Sequence, residues 1–259
     1  MGNRLWLLAL CLLALPGLRF GSGADAGETT AAREPGEEGL GDFIRWLLKD
    51  GGDRLEDIRF AKVVEAVSGR RMLPVDTRKE PDAALMDAVA DALNAAMKDF
   101  ERATNPIHEV GRVNEISRHI EDELRRRLDT MEGFRCGIPR TEAGDRQLSG
   151  YPDLRLEHEA SGRVFYLDPK AYKDGTEDSS FRTFYFEPKG ETNKILDDAS
   201  HLIVGIAHGG KTDGRWRLKR WTLVDLIDFR VSLKAEFQAG NRDLYRPDAV
   251  IRRGTGSSR

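Results

Sequence analysis

The chain has 259 residues, 39% hydrophobic and 33% charged, with a net charge of −3; that suits one large or two small globular domains and excludes collagen, a coiled coil and a polytopic membrane protein. Its two cysteines cannot by themselves build a disulfide-stapled scaffold or a four-ligand zinc site. The small net charge hides a division: from Gly209 onward twelve Lys or Arg face six Asp or Glu, while the preceding chain is acidic.

Residues 1–24 read as a secretory signal peptide. Arg4 precedes an apolar run from Leu5 to Leu15, and the small residues after Gly21 suit cleavage after Ala24 or Ala26. The run is shorter than the ~20 residues of a membrane span, so no stable span is expected once the leader is removed. A wrongly assigned start is the alternative. The protein is thus expected to be secreted or periplasmic if the leader is genuine and cytoplasmic otherwise, and export would leave Cys136 as a lone thiol. Residues 25–40 are small, polar and Gly-rich and read as a disordered linker.

A helical segment is expected over 41–104, from Asp42–Asp50, Leu55–Val67 and Pro81–Ala103. The last has Pro81 in its first turn and Leu85, Val89, Leu93, Ala96 and Phe100 along one face. After Asn105-Pro106, Val110, Val113, Ile116, Ile120, Leu124 and Leu128 mark a long amphipathic helix. The period then changes. Tyr151–Glu157, Val164–Leu167, Thr183–Phe186, Leu202–Ala207 and Arg215–Leu223 read as strands, with a turn over 209–214, a short helix at Asn193–Ser200 and a longer one at Val224–Gln238. Helix, strands, helix, strands, helix predicts a mixed α/β sheet flanked by helices over 105–240, followed by a basic flexible tail over 241–259.

Chemistry concentrates in Pro152-Asp153 and Asp168-Pro169-Lys170. Two strands joined by the Ser161-Gly162 turn can bring both aspartates to one end of a sheet, and residues two apart on a strand share a face, as Asp168 and Lys170 would. Hard carboxylate oxygens suit Mg²⁺, and a nearby ammonium can orient water and offset developing charge at a phosphodiester. Pro169 removes a ladder donor, which predicts either a strand ending at Leu167 or a bulge at Asp168.

On these residues the sequence resembles the PD-(D/E)xK nuclease superfamily, whose fold is that of type II restriction endonucleases; the resemblance extends over 106–238. It implies Asp153 and Asp168 as Mg²⁺ ligands, Lys170 as the residue assisting the attacking water, double-stranded DNA as substrate and a homodimer as the working form. It also implies a glutamate from the leading helix. The candidates are Glu109, Glu115, Glu121 and Glu123; Glu121 and Glu123 flank the apolar face about 80° to either side, and of these Glu121 is the expected one, with Glu115 in reserve.

Glu187-Pro-Lys189 and Pro247-Asp248 are competing matches to the same short patterns. In Arg215-Trp-Arg-Leu-Lys219, Arg215, Arg217 and Lys219 alternate with Trp216 and Leu218, giving a strand face that can track a nucleic-acid backbone. Arg182 and Lys194 are further candidates to face phosphates. The five histidines lack metal-ligand spacing, and there is neither a phosphate-binding loop nor a nucleophile elbow. The function expected is Mg²⁺-dependent endonucleolytic hydrolysis of DNA. The alternatives are a nucleic-acid-binding protein of the same fold that has lost cleavage, or an exported interaction protein of the cell envelope.

Overall fold

The structure, a computed structural model, describes residues 37–50, 55–180, 184–188, 192–234 and 238–253. The leader, most of the linker, Arg182, Lys189 and the last six residues lie outside them. Among the described residues no helix is long and apolar enough to cross a membrane. The chain divides into two units at Arg45/Trp46. The first contributes helix α1 (Glu37–Arg45), whose Arg45 pairs with Asp42 at 3.0 Å.

The second unit is a mixed α/β fold built on a five-stranded sheet in the order β2-β3-β4-β5-β6. The strands are β2 (Phe134–Gly137), β3 (Leu154–His158), β4 (Arg163–Lys173), β5 (Ser200–Thr212) and β6 (Arg215–Asp225). β4 and β5 run parallel, and the other neighbours are antiparallel. A two-residue hairpin at Asp213-Gly214, both at positive φ, joins β5 to β6. The turn expected over 209–214 therefore shrinks to two residues, because β5 continues through Gly209 and Gly210 by way of β-bulges against β6.

Two helices cover one face. In α3 (Glu80–Phe100), Leu85, Val89, Leu93, Ala96 and Phe100 are buried. In α4 (Val113–Asp129), Ile116, Ile120, Leu124 and Leu128 are buried. Both sets share one apolar core with Leu154, Leu156, Phe165, Leu167, Leu202, Val204 and Ile206 from the sheet; each large side chain so buried contributes about 1.5–3 kcal/mol. α3 thus lies in the same packed body as the strands. α4 starts at Val113 rather than beside Pro106, because Asn105 accepts a hydrogen bond from Ile107 N (3.0 Å) and starts a separate 3₁₀ turn, Pro106–His108.

The opposite face packs a smaller core. It contains Val164 and Tyr166 of β4 and Phe60 and Val64 of α2 (Phe60–Ser68), the latter preceded by the short strand β1 (Ile58–Arg59). Here three expectations fail. The helix expected at Val224–Gln238 is absent among the described residues: β6 runs to Asp225, whose carboxylate accepts from Val75 N and Ile227 N, and β7 (Arg230–Val231) pairs with β1. Packing of Phe229 on Phe60 and Phe184 favours that extended path. Asn193–Ser200 is no helix either, because the Tyr166 hydroxyl accepts from Leu196 N and Asp197 N and takes the place of helical carbonyls. Phe184–Phe186 is irregular rather than a strand, its phenyl rings edge-on to Phe60 and Tyr151.

Candidate active site

β4 carries the site. Its residues alternate between faces, so Phe165 and Leu167 enter the α3/α4 core while Val164, Tyr166, Asp168 and Lys170 look the other way. The strand neither stops at Leu167 nor bulges at Asp168: pairing with β5 runs unbroken from Phe165 to Lys173, with Pro169 opposite Val204. β3 ends opposite Leu167. Beyond that point β4 has β5 as its neighbour on one side, and an edge tolerates proline.

Lys170 Nζ lies 2.6 Å from Asp168 Oδ2 and 3.7 Å from Asp153 Oδ2. The Asp168 side chain is 2% exposed, and its Oδ2 meets the Lys170 ammonium as a close ion pair. Burial, and next the charge of Asp153, push the Asp168 carboxyl up to about 7. Burial works against the Lys170 ammonium, but Asp168, Asp153 and Glu121 outweigh it and raise its pKa.

Glu121 reaches this site from α4. It lines a cavity of about 180 Å³ with Arg118, Arg125, Leu148 and Asp153. Burial and Asp153 raise it to about 7. The other helix glutamates are engaged elsewhere. Glu115 accepts from Gly111 N and Arg112 N ahead of α4, Glu123 pairs with Arg126 and Arg127, and Glu109 is exposed. The rival motifs also fall away from this constellation in character, since Glu187 is exposed and Asp248 pairs with Arg246 at the surface.

These groups fit a hard divalent cation in donor chemistry: the donors are all oxygens, the Asp168 carboxylate is buried, and that burial and Asp153 raise its pKa against the opposing pull of Lys170. Among the described residues no three acids, cysteines or histidines form a ready-made ligand cluster. The set is two carboxylates bridged by a lysine, with Glu121 at the wall of the adjoining cavity.

Arg215, Arg217 and Lys219 are all exposed on β6, with Trp216 turned inward, as the alternation predicts. A Cβ on Gly209 would meet Lys219 and Arg217, which puts both on one side of the hairpin. Lys219 is pinned to Asp174 at 2.6 Å, and Arg220 pairs with Asp174 and Glu177, so the sequence-drawn stripe gains a member and is partly neutralised.

Three groups around the site take roles that only the fold assigns. Lys194, expected to face phosphates, is 2% exposed, and its ammonium donates to the Gln147 and Gly150 carbonyls. Burial lowers its pKa, while Asp153, Asp168 and Glu121 pull it back. Tyr151, beside Pro152-Asp153, shares a 2.8 Å hydrogen bond with His201 Nδ1, and burial together with Asp168 and Asp153 raises its hydroxyl pKa strongly. His201 is neutral, burial lowering it to about 3. The signal available for Lys194 was its place directly before Ile195-Leu196, at the head of an apolar pair.

A mixed sheet with two acids and a lysine at the open edge of one strand defines a restriction-endonuclease-like protein. The model of the type II restriction enzyme MjaV family matches residues 54–248, so the chain belongs to that family. It is similar to the type II restriction enzyme MjaV of Methanocaldococcus jannaschii, 30% identical over 219 residues, covering 80% of this chain and 94% of that enzyme.

Proposed function

We propose that the protein is a PD-(D/E)xK endonuclease that hydrolyses phosphodiester bonds in double-stranded DNA with Mg²⁺. The observation that supports this reading is the meeting of Asp153 and Asp168 around Lys170 Nζ, at 3.7 and 2.6 Å, beside the cavity lined by Glu121. Family membership supports DNA as the substrate and favours a nuclease over an envelope protein.

Asp153 and Asp168 hold the cation, and Glu121 stands at the cavity wall to complete its surroundings. Magnesium bound there supplies Lewis acidity toward the scissile phosphate and relieves the crowding of the acids. Lys170 orients the attacking water and offsets negative charge as it grows on phosphorus. Arg215, Arg217 and Lys219 hold the backbone without reading sequence, and Arg182, outside the described residues, is assigned the same role. Cutting both strands of a duplex needs two such sites, which favours a homodimer.

The test is supercoiled plasmid with purified protein in Mg²⁺ or EDTA, repeated with Asp168→Ala and Lys170→Ala. Cleavage is expected for the wild type in Mg²⁺ alone. Equal cutting by all three proteins removes these residues from the mechanism, and metal-independent DNA retention without strand breaks favours the binding-only alternative. Cell fractionation with N-terminal sequencing reads localisation: a mature chain found outside the cytoplasm and starting after Ala24 or Ala26 is exported, whereas a cytoplasmic chain with a different start speaks for a wrongly assigned one.

A further inference from the structure

We propose that Lys194 is a positioning residue that holds Asp153 in place by clamping the 147–150 loop from beneath. The proposal rests on the catalytic reading of Asp153 given above. Lys194 Nζ donates to Gln147 O at 3.3 Å and to Gly150 O. Among the described residues these are the hydrogen bonds that tie 147–150 to another part of the chain; the further bond within it, Gln147 Nε2 to Ser149 Oγ, is local.

The loop needs such a clamp. Leu148, Ser149 and Gly150 are exposed, and Leu148 is 68% so, while lining the cavity shared by Glu121 and Asp153. Gly150 adopts a φ of +82°, open to glycine and strained for other residues. Three residues further on stands Asp153. Tyr151 and Pro152, both buried, lie between, so the clamp on one side and that anchored pair on the other together hold a carboxylate that must keep its place to within about half an ångström to act with Asp168.

An ammonium buried this deeply is costly unless it is bonded and faces opposite charge. Lys194 meets both conditions, through the two carbonyls and through the field of Asp153, Asp168 and Glu121. One side chain thus ties loop position to the charge of the acids. A surface lysine holding phosphate would do neither.

The test compares wild type, Lys194→Met and Lys194→Gln as full-length proteins. In metal-free protein, trypsin cutting after Arg146 is followed by mass spectrometry, with cutting after Arg126 inside α4 as the control for global unfolding. Lys194→Met is expected to speed the Arg146 cut about tenfold with the Arg126 cut unchanged. With Mg²⁺ and DNA, kcat is expected to fall ten- to a hundredfold with little change in KM. Lys194→Gln, which keeps one donor, should recover part of both. Lys194→Met with a wild-type kcat, or with kcat lost and no change at Arg146, overturns the positioning role. A wild-type protein that cuts no DNA in Mg²⁺ instead overturns the catalytic reading beneath it.

Discussion

β4 carries one ion pair at its start and another at its middle, and the two differ in how completely their charges are met. At its start, Arg163 grips Asp82 of α3 with Nε at 2.7 Å and Nη2 at 3.2 Å, and Nη2 also reaches Ser200 Oγ and Pro74 O. Asp82 accepts a further bond from Asp76 N at 2.8 Å. Burial alone would raise its pKa, but Arg163 and the Asp76 amide outweigh it and hold the carboxyl below 3.8. At mid-strand, Asp168 meets Lys170 at 2.6 Å but also faces a second acid, and burial and Asp153 raise its pKa to about 7. The first pair is complete within the fold. The second holds a carboxyl whose pKa is raised, the kind of perturbation that clusters at functional sites.

That contrast can be broken at either end. Asp82→Ala leaves Arg163 buried without its partner and should cost about 3–5 kcal/mol of stability in urea unfolding, with cleavage per folded molecule unchanged at low temperature. Asp168→Asn should do the reverse. Cleavage falls roughly a thousandfold, or about 4 kcal/mol of transition-state stabilisation, while the metal-free protein at pH 7 is at least as stable as wild type. A loss of stability at Asp168→Asn would make the two pairs alike.

Acid sharpens the same comparison. Asp168 keeps its proton up to about pH 7 in the fold but loses it near 3.8 when unfolded, so between those values the folded state binds more protons and stability falls as pH rises. Asp82 runs the other way, its contribution present above about 3.8 and lost as pH falls through its lower folded value. In thermal melts of metal-free protein, the advantage of Asp168→Asn over wild type should therefore grow from pH 4 to 7, and the deficit of Asp82→Ala should shrink below pH 4. The smallest effect belongs to Arg217→Ala. DNA binding should weaken severalfold whatever the sequence, with the salt slope reduced by about one, because Arg217 is exposed on β6 and would contact phosphate alone.

Local pattern made much of this legible. The 3.6-residue period of Ile116, Ile120, Leu124 and Leu128 foretold α4, and the apolar run at 202–207 foretold the buried part of β5. Asp153, Asp168 and Lys170 were readable because one hairpin links them and alternation fixes which way two of them point. Glu121 and Glu123 stand at equal angles to the apolar face, and only the fold separates them: Glu121 lines the cavity with Asp153, while Glu123 pairs with Arg126 and Arg127. The errors cluster in the connections. Val224–Gln238 has apolar residues that suit a helix or an extended path, and only Phe60 and β1 select the second. Asn193–Ser200 loses its helix to the Tyr166 hydroxyl, thirty residues away in sequence.

The sequence by itself determined the periodic elements, the placing of a basic strand and the three residues on which the chemistry is wagered, because helix and strand periods act over a few residues. Tertiary structure alone decided that Lys194 lies beneath the Asp153 loop instead of facing solvent, that Arg163 is satisfied by Asp82, and that Asp168 is buried beside a second acid with Lys170 as its ionic partner. Burial and hydrogen-bond completion depend on partners brought together from distant parts of the chain, and those quantities separate an acid held ionised from one whose pKa is pushed up.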